Sequence, residues 1–255
     1  MSIVISSGHG LFVRGAVGLI DEVDEARRVT DRVAAILRGA GVTVNAFHEN
    51  NARTMPDNVG AIVRHHNSQT RDLDVSIHFN STASGLIEDR AIGVEVLHLT
   101  GNQTTRALAG RVAKAISNAS GLLLRHIQDS GAVARNNLSF LSNTTAPAIL
   151  IEVCFVVSRT DVRLYQQYFE EICRAIASTI SGRTIAPDPP VVDPPTTPPP
   201  PPNQQPSGWA REAWAWGVAH GLTDGTAPRD APTREQMITL LHRYHNAVEN
   251  NAFSA

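Results

Sequence analysis

The chain has 255 residues, of which 42% are hydrophobic and 18% charged, so it can bury a globular core. Its formal net charge is -2 and its basic residues are scattered, which argues against a nucleic-acid partner. Its two cysteines, Cys154 and Cys173, are too few for a disulfide framework or a cysteine-rich zinc site.

Targeting signals are not evident in the sequence. The segment from Met1 to Ile5 lacks a basic region followed by a sustained apolar stretch, so no signal peptide is predicted. No run of about 18 apolar residues occurs, so we expect no membrane-spanning helix. The chain is therefore expected to be synthesised in the cytoplasm.

Strand and helix patterns alternate along the first 182 residues. Short apolar runs predict strands over residues 3–7, 42–47, 73–79, 93–99 and 148–154. Apolar residues at helical spacing predict four helices: one capped by Asp21 and stopped by Gly39 and Gly41, one over 58–68, one over 105–120, and a long one through Leu164 and Ile180 that ends at Gly182. This alternation predicts an α/β fold, with a twisted, mostly parallel sheet and helices on both faces.

The composition changes sharply after Gly182. Eleven of the 15 prolines lie between Pro187 and Pro206, which favours an extended, semi-rigid spacer. All three tryptophans follow this spacer. We therefore predict a catalytic domain over residues 1–182, a linker over 183–207 and a small α-helical module over 208–255.

Four polar residues occupy the carboxyl ends of predicted strands or the segments that follow them. His9 comes directly after the first strand, and Glu22 begins the helix that this strand feeds. His78 stands near the end of the third strand, and Glu152 near the end of the last one. Sites in open α/β sheets form along this edge, so the four side chains should meet if those strands are parallel.

This set of residue types is typical of a catalytic zinc site. Two histidines and a carboxylate bind Zn²⁺ with water in the fourth position. The metal lowers the pKa of that water to about 7 and polarises a carbonyl, and a second carboxylate can carry the proton to a leaving amine. Glu152 suits the latter role, because a carboxylate in an apolar strand is costly unless the site uses it. The pattern predicts a zinc-dependent amide hydrolase.

Other interpretations stay open at this point. Glu22 could instead complement a helix N-terminus, and Glu152 could pair with an arginine. Glu25 lies three residues after Glu22 and is an alternative third ligand, and His48 at the end of the second strand is a rival ligand. The remaining histidines of this domain are given no part in the site: His65 and His66, interpreted as surface or packing residues, and His98 and His126.

Four segments carry a family resemblance: Ser7-Gly8-His9-Gly10, the helix start Asp21-Glu22, the run from Val75 to Asn80, and the run from Ala146 to Glu152. Together they resemble the zinc-dependent N-acetylmuramoyl-L-alanine amidases, in the branch common among phage endolysins and cell-wall autolysins. The resemblance covers about residues 1–182 and preserves the order and spacing of the segments. Leu11 departs from it, because many relatives carry a further glycine there.

The resemblance implies that His9, Glu22 and His78 bind zinc and that Glu152 is the catalytic carboxylate, and it favours Glu22 over Glu25. It implies cleavage of the amide between the lactyl group of N-acetylmuramic acid and L-alanine in peptidoglycan. The enzyme would then act at the cell wall after release from the bacterial cytoplasm, with no membrane or nucleic-acid partner.

The C-terminal segment is similar to a single S-layer-homology motif. Such motifs bind secondary cell-wall polymers, usually as three copies, so one copy implies low affinity, self-association or a simple helical hairpin. A segment this small is marginally stable alone, which favours self-association. The matching residues are Trp209-Ala210, Trp214, Trp216-Gly217, Gly221 to Gly225, Pro232 to Glu235 and Leu240-Leu241.

Two other functions fit parts of the pattern. A zinc peptidase acting on stem peptides often has its first histidine and glutamate close together, whereas His9 and Glu22 stand 13 residues apart. A non-catalytic cell-wall-binding protein with a degenerate hydrolase fold would have little reason to keep a complete ligand set together with Glu152.

Overall fold

Six strands form one sheet in the computed structural model, which describes residues 1–186, 206, 210–220, 222–223 and 234–249. The strands are β1 (Ser2–Ser7), β2 (Thr43–Phe47), β3 (Leu73–Asn80), β4 (Glu95–Leu99), β5 (Ala132–Arg135) and β6 (Ala148–Phe155). The helices are α1 (Glu22–Gly39), α2 (Met55–Asn67), α3 (Gln103–Ser120), α4 (Ser139–Asn143), α5 (Arg159–Gln167), α6 (Phe169–Ser181), α7 (Arg211–Ala219) and α8 (Arg234–Glu249).

The order of the strands is β2-β1-β3-β6-β4-β5. The first four run parallel to one another, β4 runs antiparallel to β6, and β5 runs parallel to β4. The prediction of a mostly parallel sheet is therefore confirmed. The ends of β1, β3 and β6 share one edge of the sheet, and the reversed β4 begins at that same edge.

Both faces of the sheet are covered by helices, as predicted. Along β6, Ile149 and Ile151 belong to a large core that includes residues of α1, α3 and α6. The alternate residues Ala148 and Leu150 belong to a smaller cluster with α2 and α4. Successive strand residues point to opposite faces, so an almost wholly apolar β6 serves two cores at once.

The prediction of one long helix through Leu164 and Ile180 is wrong. The chain forms two helices, α5 and α6, which meet at Tyr168 with φ -115° and ψ 29°. The amide of Tyr168 still bonds to the carbonyl of Leu164, so the apolar spacing of four residues continues across the break. Neither glycine nor proline marks the position, and helical spacing alone could not show the change of direction.

Two short elements, β5 and α4, are absent from the sequence prediction, and the fourth strand begins later than predicted. Gly93 has a φ of 105°, and the amide of Val94 bonds to the carbonyl of Leu123 rather than extending β4. Pairing of β4 with its strand neighbours starts at Glu95. β5 has four residues with Val133 as its one large apolar side chain, and the five residues of α4 make little more than one helical turn, so neither shows a clear period.

The chain divides into two compact units, Met1–Pro187 and Asp188–Ala255. In the second unit, α7 and α8 are helical, and Trp216 stacks on His220 with ring centroids 4.6 Å apart. Most of the predicted linker over 183–207 lies outside the described residues. So do Trp209, Gly221 and the segments 224–225 and 232–233 of the predicted S-layer-homology motif.

A fully buried carboxylate joins α5 to the sheet. Asp161 accepts hydrogen bonds from the amides of Ile92 (3.0 Å), Gly93 (2.7 Å) and Phe155 (3.3 Å). These three amides come from the loop before β4 and from the end of β6. The side chain therefore ties together segments distant in sequence, and its loss would leave buried donors without partners.

We expect Asp161→Ala to lower the free energy of unfolding by about 3 kcal/mol, since each unsatisfied buried amide costs roughly 1–3 kcal/mol. Urea unfolding followed by circular dichroism measures this change. Asp57→Ala is the matched control, because Asp57 is an exposed aspartate at the same position of α2, three residues after a threonine cap. Equal loss of stability in the two variants would contradict the role given to Asp161.

Candidate metal centre

The loop after β1 places His9 at the edge of the sheet. The amide of Gly8 bonds to the carbonyl of Ile77, which continues the pairing of β1 with β3 (2.9 Å). The Asn58 side chain donates to the Gly8 carbonyl (3.2 Å), and the Ser7 hydroxyl donates to the His9 carbonyl (3.3 Å). The backbone on both sides of the imidazole is thus held by side chains as well as by the sheet.

Glu22 occupies the first position of α1. Asp21 caps this helix by accepting a hydrogen bond from the amide of Val23 (2.9 Å), as predicted. The Glu22 carboxylate turns back toward the sheet, where it accepts from the amides of Ala16 (2.7 Å) and Phe79 (3.1 Å). It is therefore a buried carboxylate that links the entry loop, α1 and β3.

His78 completes a compact group with these two residues. Its Nδ1 lies 2.9 Å from Glu22 Oε1, and His9 Nε2 lies 3.5 Å from the same oxygen. The two imidazole rings are 5.1 Å apart and nearly perpendicular. A side chain at Gly8 would overlap the His78 ring, and Gly15, with φ 71°, has no room for one beside Glu22. Glycine at both positions leaves space for the three side chains.

The electrostatics of the group couple Glu22 to both histidines. Burial would lower the pKa of His78, but the hydrogen bond to Glu22 and its charge outweigh burial and raise it. Burial lowers the pKa of His9, which favours the neutral imidazole that a metal requires. Burial alone would raise the pKa of Glu22, but the hydrogen bond from His78 and the two neighbouring histidines outweigh it and lower that pKa. Glu22 is therefore held as a carboxylate next to two imidazole rings.

His9, Glu22 and His78 each offer one ligand atom, and these atoms lie within 4.8 Å of one another. Tetrahedral zinc, with bonds of about 2.0–2.2 Å to nitrogen and oxygen, separates its ligand atoms by roughly 3.3 Å. The distances of 2.9 and 3.5 Å from Glu22 Oε1 to His78 and His9 lie on either side of this value, so small side-chain shifts would fit the group to such an ion. No other group of this kind occurs among the described residues.

Glu152 lies beside this group on β6, where it is the register partner of His78. Its Oε2 is buried and has no hydrogen-bond partner among the described residues. Burial raises the pKa of Glu152 to about 8; the charges of Glu22 and Glu95 add to this effect and that of His78 opposes it. An unpartnered carboxyl that can hold a proton near neutral pH is a candidate proton carrier.

The alternative residues take part in other contacts. Glu25 accepts from the Tyr165 hydroxyl (2.6 Å) and pairs with Arg28 (2.6 Å), outside the group of three. His48 lies between the Ser7 hydroxyl and Asp31, at 3.0 Å from each. Its partner Ser7 is fully buried, so this Ser-His-Asp chain supports the His9 loop rather than offering a nucleophile.

The remaining histidines of this unit lie away from the group. His66 is buried between Asp74 (2.8 Å) and Ser6 (2.9 Å), in agreement with a packing role. His65 stacks on Phe47, with ring centroids 3.9 Å apart. His98 bonds to the carbonyl of Leu99. His126 bonds to Glu95 (2.9 Å).

Glu95 is the residue that sequence reasoning missed. It is a buried carboxylate at the start of β4, directly opposite Glu152 in the antiparallel pairing. It accepts from Asn80 (3.0 Å), Arg125 (2.7 Å) and His126. A charge within an apolar strand was the signal that drew attention to Glu152, and it could have identified Glu95 as well.

A cleft of about 610 Å³ opens over the group. The metal-binding candidates and Glu152 line one part of it, and residues of α2, α4 and the strands between them line the remainder. In chemical terms, the arrangement can hold a divalent cation next to a proton carrier in a partly apolar groove, which is what metal-assisted hydrolysis needs.

Comparison with known proteins agrees with this description. A model of the N-acetylmuramoyl-L-alanine amidase family matches residues 3–181. An uncharacterised protein of Clostridium perfringens (strain 13 / Type A) is 26% identical over 186 residues, which cover 72% of this chain and 53% of that protein. The chain spans about half the length of the curated relatives it matches.

Solved structures share the fold. The catalytic domain of the CD27L endolysin targeting Clostridia difficile aligns with a TM-score of 0.61 at 21% identity, covering 73% of this chain and 99% of that one. The N-acetylmuramoyl-L-alanine amidase AmiC2 of Nostoc punctiforme aligns with a TM-score of 0.59 at 25% identity, covering 71% of this chain and 96% of that one.

Among the residues that the structure describes, no helix is long and apolar enough to cross a membrane.

The family match extends over more than two thirds of the chain and includes every residue of the candidate metal centre. The chain therefore belongs to the N-acetylmuramoyl-L-alanine amidase family.

Proposed function

We propose that this chain is a zinc-dependent peptidoglycan amidase that cleaves the amide between N-acetylmuramic acid and L-alanine. The observation that carries the proposal is the group of His9, Glu22 and His78 with the unpartnered Glu152 next to it. Membership of the amidase family supports the choice of substrate.

Zinc held by His9, Glu22 and His78 would lower the pKa of a water molecule and polarise the scissile carbonyl. Glu22 keeps its place through the amides of Ala16 and Phe79, so the ligand set is oriented before any ion arrives. Glu22 is buried, which strengthens its electrostatic interactions with the two histidines.

Glu152 moves the proton. As a carboxylate it accepts a proton from the attacking water at Oε2, the atom without a partner among the described residues. It then donates that proton to the nitrogen of L-alanine as the carbon–nitrogen bond breaks, so the amine leaves neutral. Burial raises the pKa of Glu152, which makes its carboxylate the stronger base in the accepting step. The positive charge of a bound zinc ion would keep that carboxylate ionised before the step.

We further propose that the enzyme reaches the wall from the cytoplasm, as an endolysin or autolysin does. The C-terminal module would bind a secondary cell-wall polymer or a second copy of the chain. Tethering of this kind raises the effective concentration of a catalytic domain at its substrate.

Glu152→Gln should lower amide cleavage by about 10²- to 10⁴-fold without loss of bound zinc, since it removes the proton carrier and no proposed ligand. Release of new L-alanine amino termini from purified cell walls measures the activity, and elemental analysis measures the zinc. Glu171→Gln, an exposed glutamate of α6, is the control. Undiminished cleavage by Glu152→Gln would remove its assigned role, and release of D-alanine by the parent protein would indicate a peptidase instead.

The third ligand can be identified by metal content alone. We expect Glu22→Gln and His78→Ala to lose zinc and activity together, because each removes one atom of the proposed ligand set. Glu25→Gln should keep its zinc, since the Glu25 carboxylate binds Tyr165 and Arg28. Zinc titration of the purified variants makes the test, and loss of zinc from Glu25→Gln but not from Glu22→Gln would reverse the assignment.

A further inference from the structure

The catalytic cleft extends well beyond the candidate metal centre. From that centre it follows the face of the sheet that carries the smaller core, between α2 and α4. Its lining there is largely apolar, with Ile62 of α2, Leu97 of β4, Leu150 of β6 and Phe140 of α4. An apolar groove with a few polar groups is the usual form of a ligand-binding site.

A positively charged side chain, that of Arg135, lines this cleft. Among the described residues that line it, Arg135 is the only arginine or lysine. Its guanidinium donates one hydrogen bond, to the carbonyl of Ala134 (3.2 Å), and no carboxylate of the described residues lies within ion-pair distance of it. By contrast, Glu22 and Glu95 are both bonded to neighbouring side chains. Most of the N–H groups of the Arg135 guanidinium are thus available to bind a ligand.

The strand register places Arg135 far from the scissile bond. Glu95 is opposite Glu152, whereas Arg135 pairs with Leu99, four residues further along β4. The separation is about 13 Å along the strands and about 10 Å across them, because β4 lies between β6 and β5, which gives about 16 Å between the two backbones. An extended peptide of about four residues covers most of that length, and the arginine side chain spans the rest.

We propose that Arg135 binds a carboxylate of the stem peptide, three to four residues from the amide that is cleaved. This inference rests on the proposed amidase function. In that substrate the carboxyl of N-acetylmuramic acid is already part of the scissile amide, so the glycan offers none. A planar guanidinium with free donors matches a carboxylate in a bidentate manner. Arg135 is therefore a specificity residue, and the groove between α2 and α4 is the peptide side of the site.

Two soluble substrates test this assignment: N-acetylmuramoyl-tetrapeptide with free carboxylates, and the same compound with its peptide carboxylates amidated. The zinc-loaded full chain should cleave the free form with a kcat/KM about tenfold higher, mainly through KM. Arg135→Gln should lose this preference, with cleavage of the amidated form changed less than about twofold. Arg135→Lys should restore part of the preference, because lysine supplies the positive charge but lacks the planar guanidinium that binds a carboxylate through two hydrogen bonds.

Arg111→Gln is the control, since it removes the same charge from an exposed position of α3 outside the cleft. Equal cleavage of both substrates by the parent chain would overturn the carboxylate site while leaving the amidase function in place. An equal loss by Arg135→Gln on both substrates would also overturn it, because the arginine would then act independently of the carboxylates. Cleavage of neither substrate by the parent chain would overturn the proposed function itself.

Discussion

The buried carboxylate of Glu22 is the interaction on which the candidate metal centre depends. It accepts hydrogen bonds from two backbone amides, one in the loop after β1 and one at the end of β3, and it contacts both histidines. An isolated carboxylate at this depth would be costly, and these donors together with the histidines keep it ionised. The same contacts hold the loop after β1, the start of α1 and the end of β3 in the arrangement that a metal ion needs.

The direction of the strands explains why the site lies where it does. The parallel strands β1, β3 and β6 bring His9, His78 and Glu152 to one edge, and the reversed β4 brings Glu95 to the same edge from the opposite direction. The smaller core on this face leaves a groove between α2 and α4. The candidate metal centre at the strand ends thus opens directly into a groove, where α/β sheets commonly bind their ligands.

Polar side chains behind the site support it without belonging to it. Ser7, His48 and Asp31 form a chain that reaches the carbonyl of His9, and Asn58 holds the carbonyl of Gly8. Glu95 likewise gathers Arg125 and His126 beside Glu152. Partners of this kind fix the orientation of metal ligands and tune their surroundings, so the candidate centre extends over several elements.

The sequence by itself determined the α/β class, the proline-rich break and the residues proposed as ligands, because these depend on composition, periodicity and strand ends. Apolar runs locate β1, β3 and β6, and polar residues that interrupt or follow them mark the site. Residue spacing left Glu22 and Glu25 open, and the family resemblance favoured Glu22. The tertiary structure shows that Glu22 is the one beside the histidines, since both lie on the same turn of α1 and differ in what they face. The break at Tyr168, the reversal of β4 and β5, and the placement of Glu95 and Arg135 also depend on packing between distant segments. No local pattern records such contacts, because their energy comes from partners that lie far away in the chain.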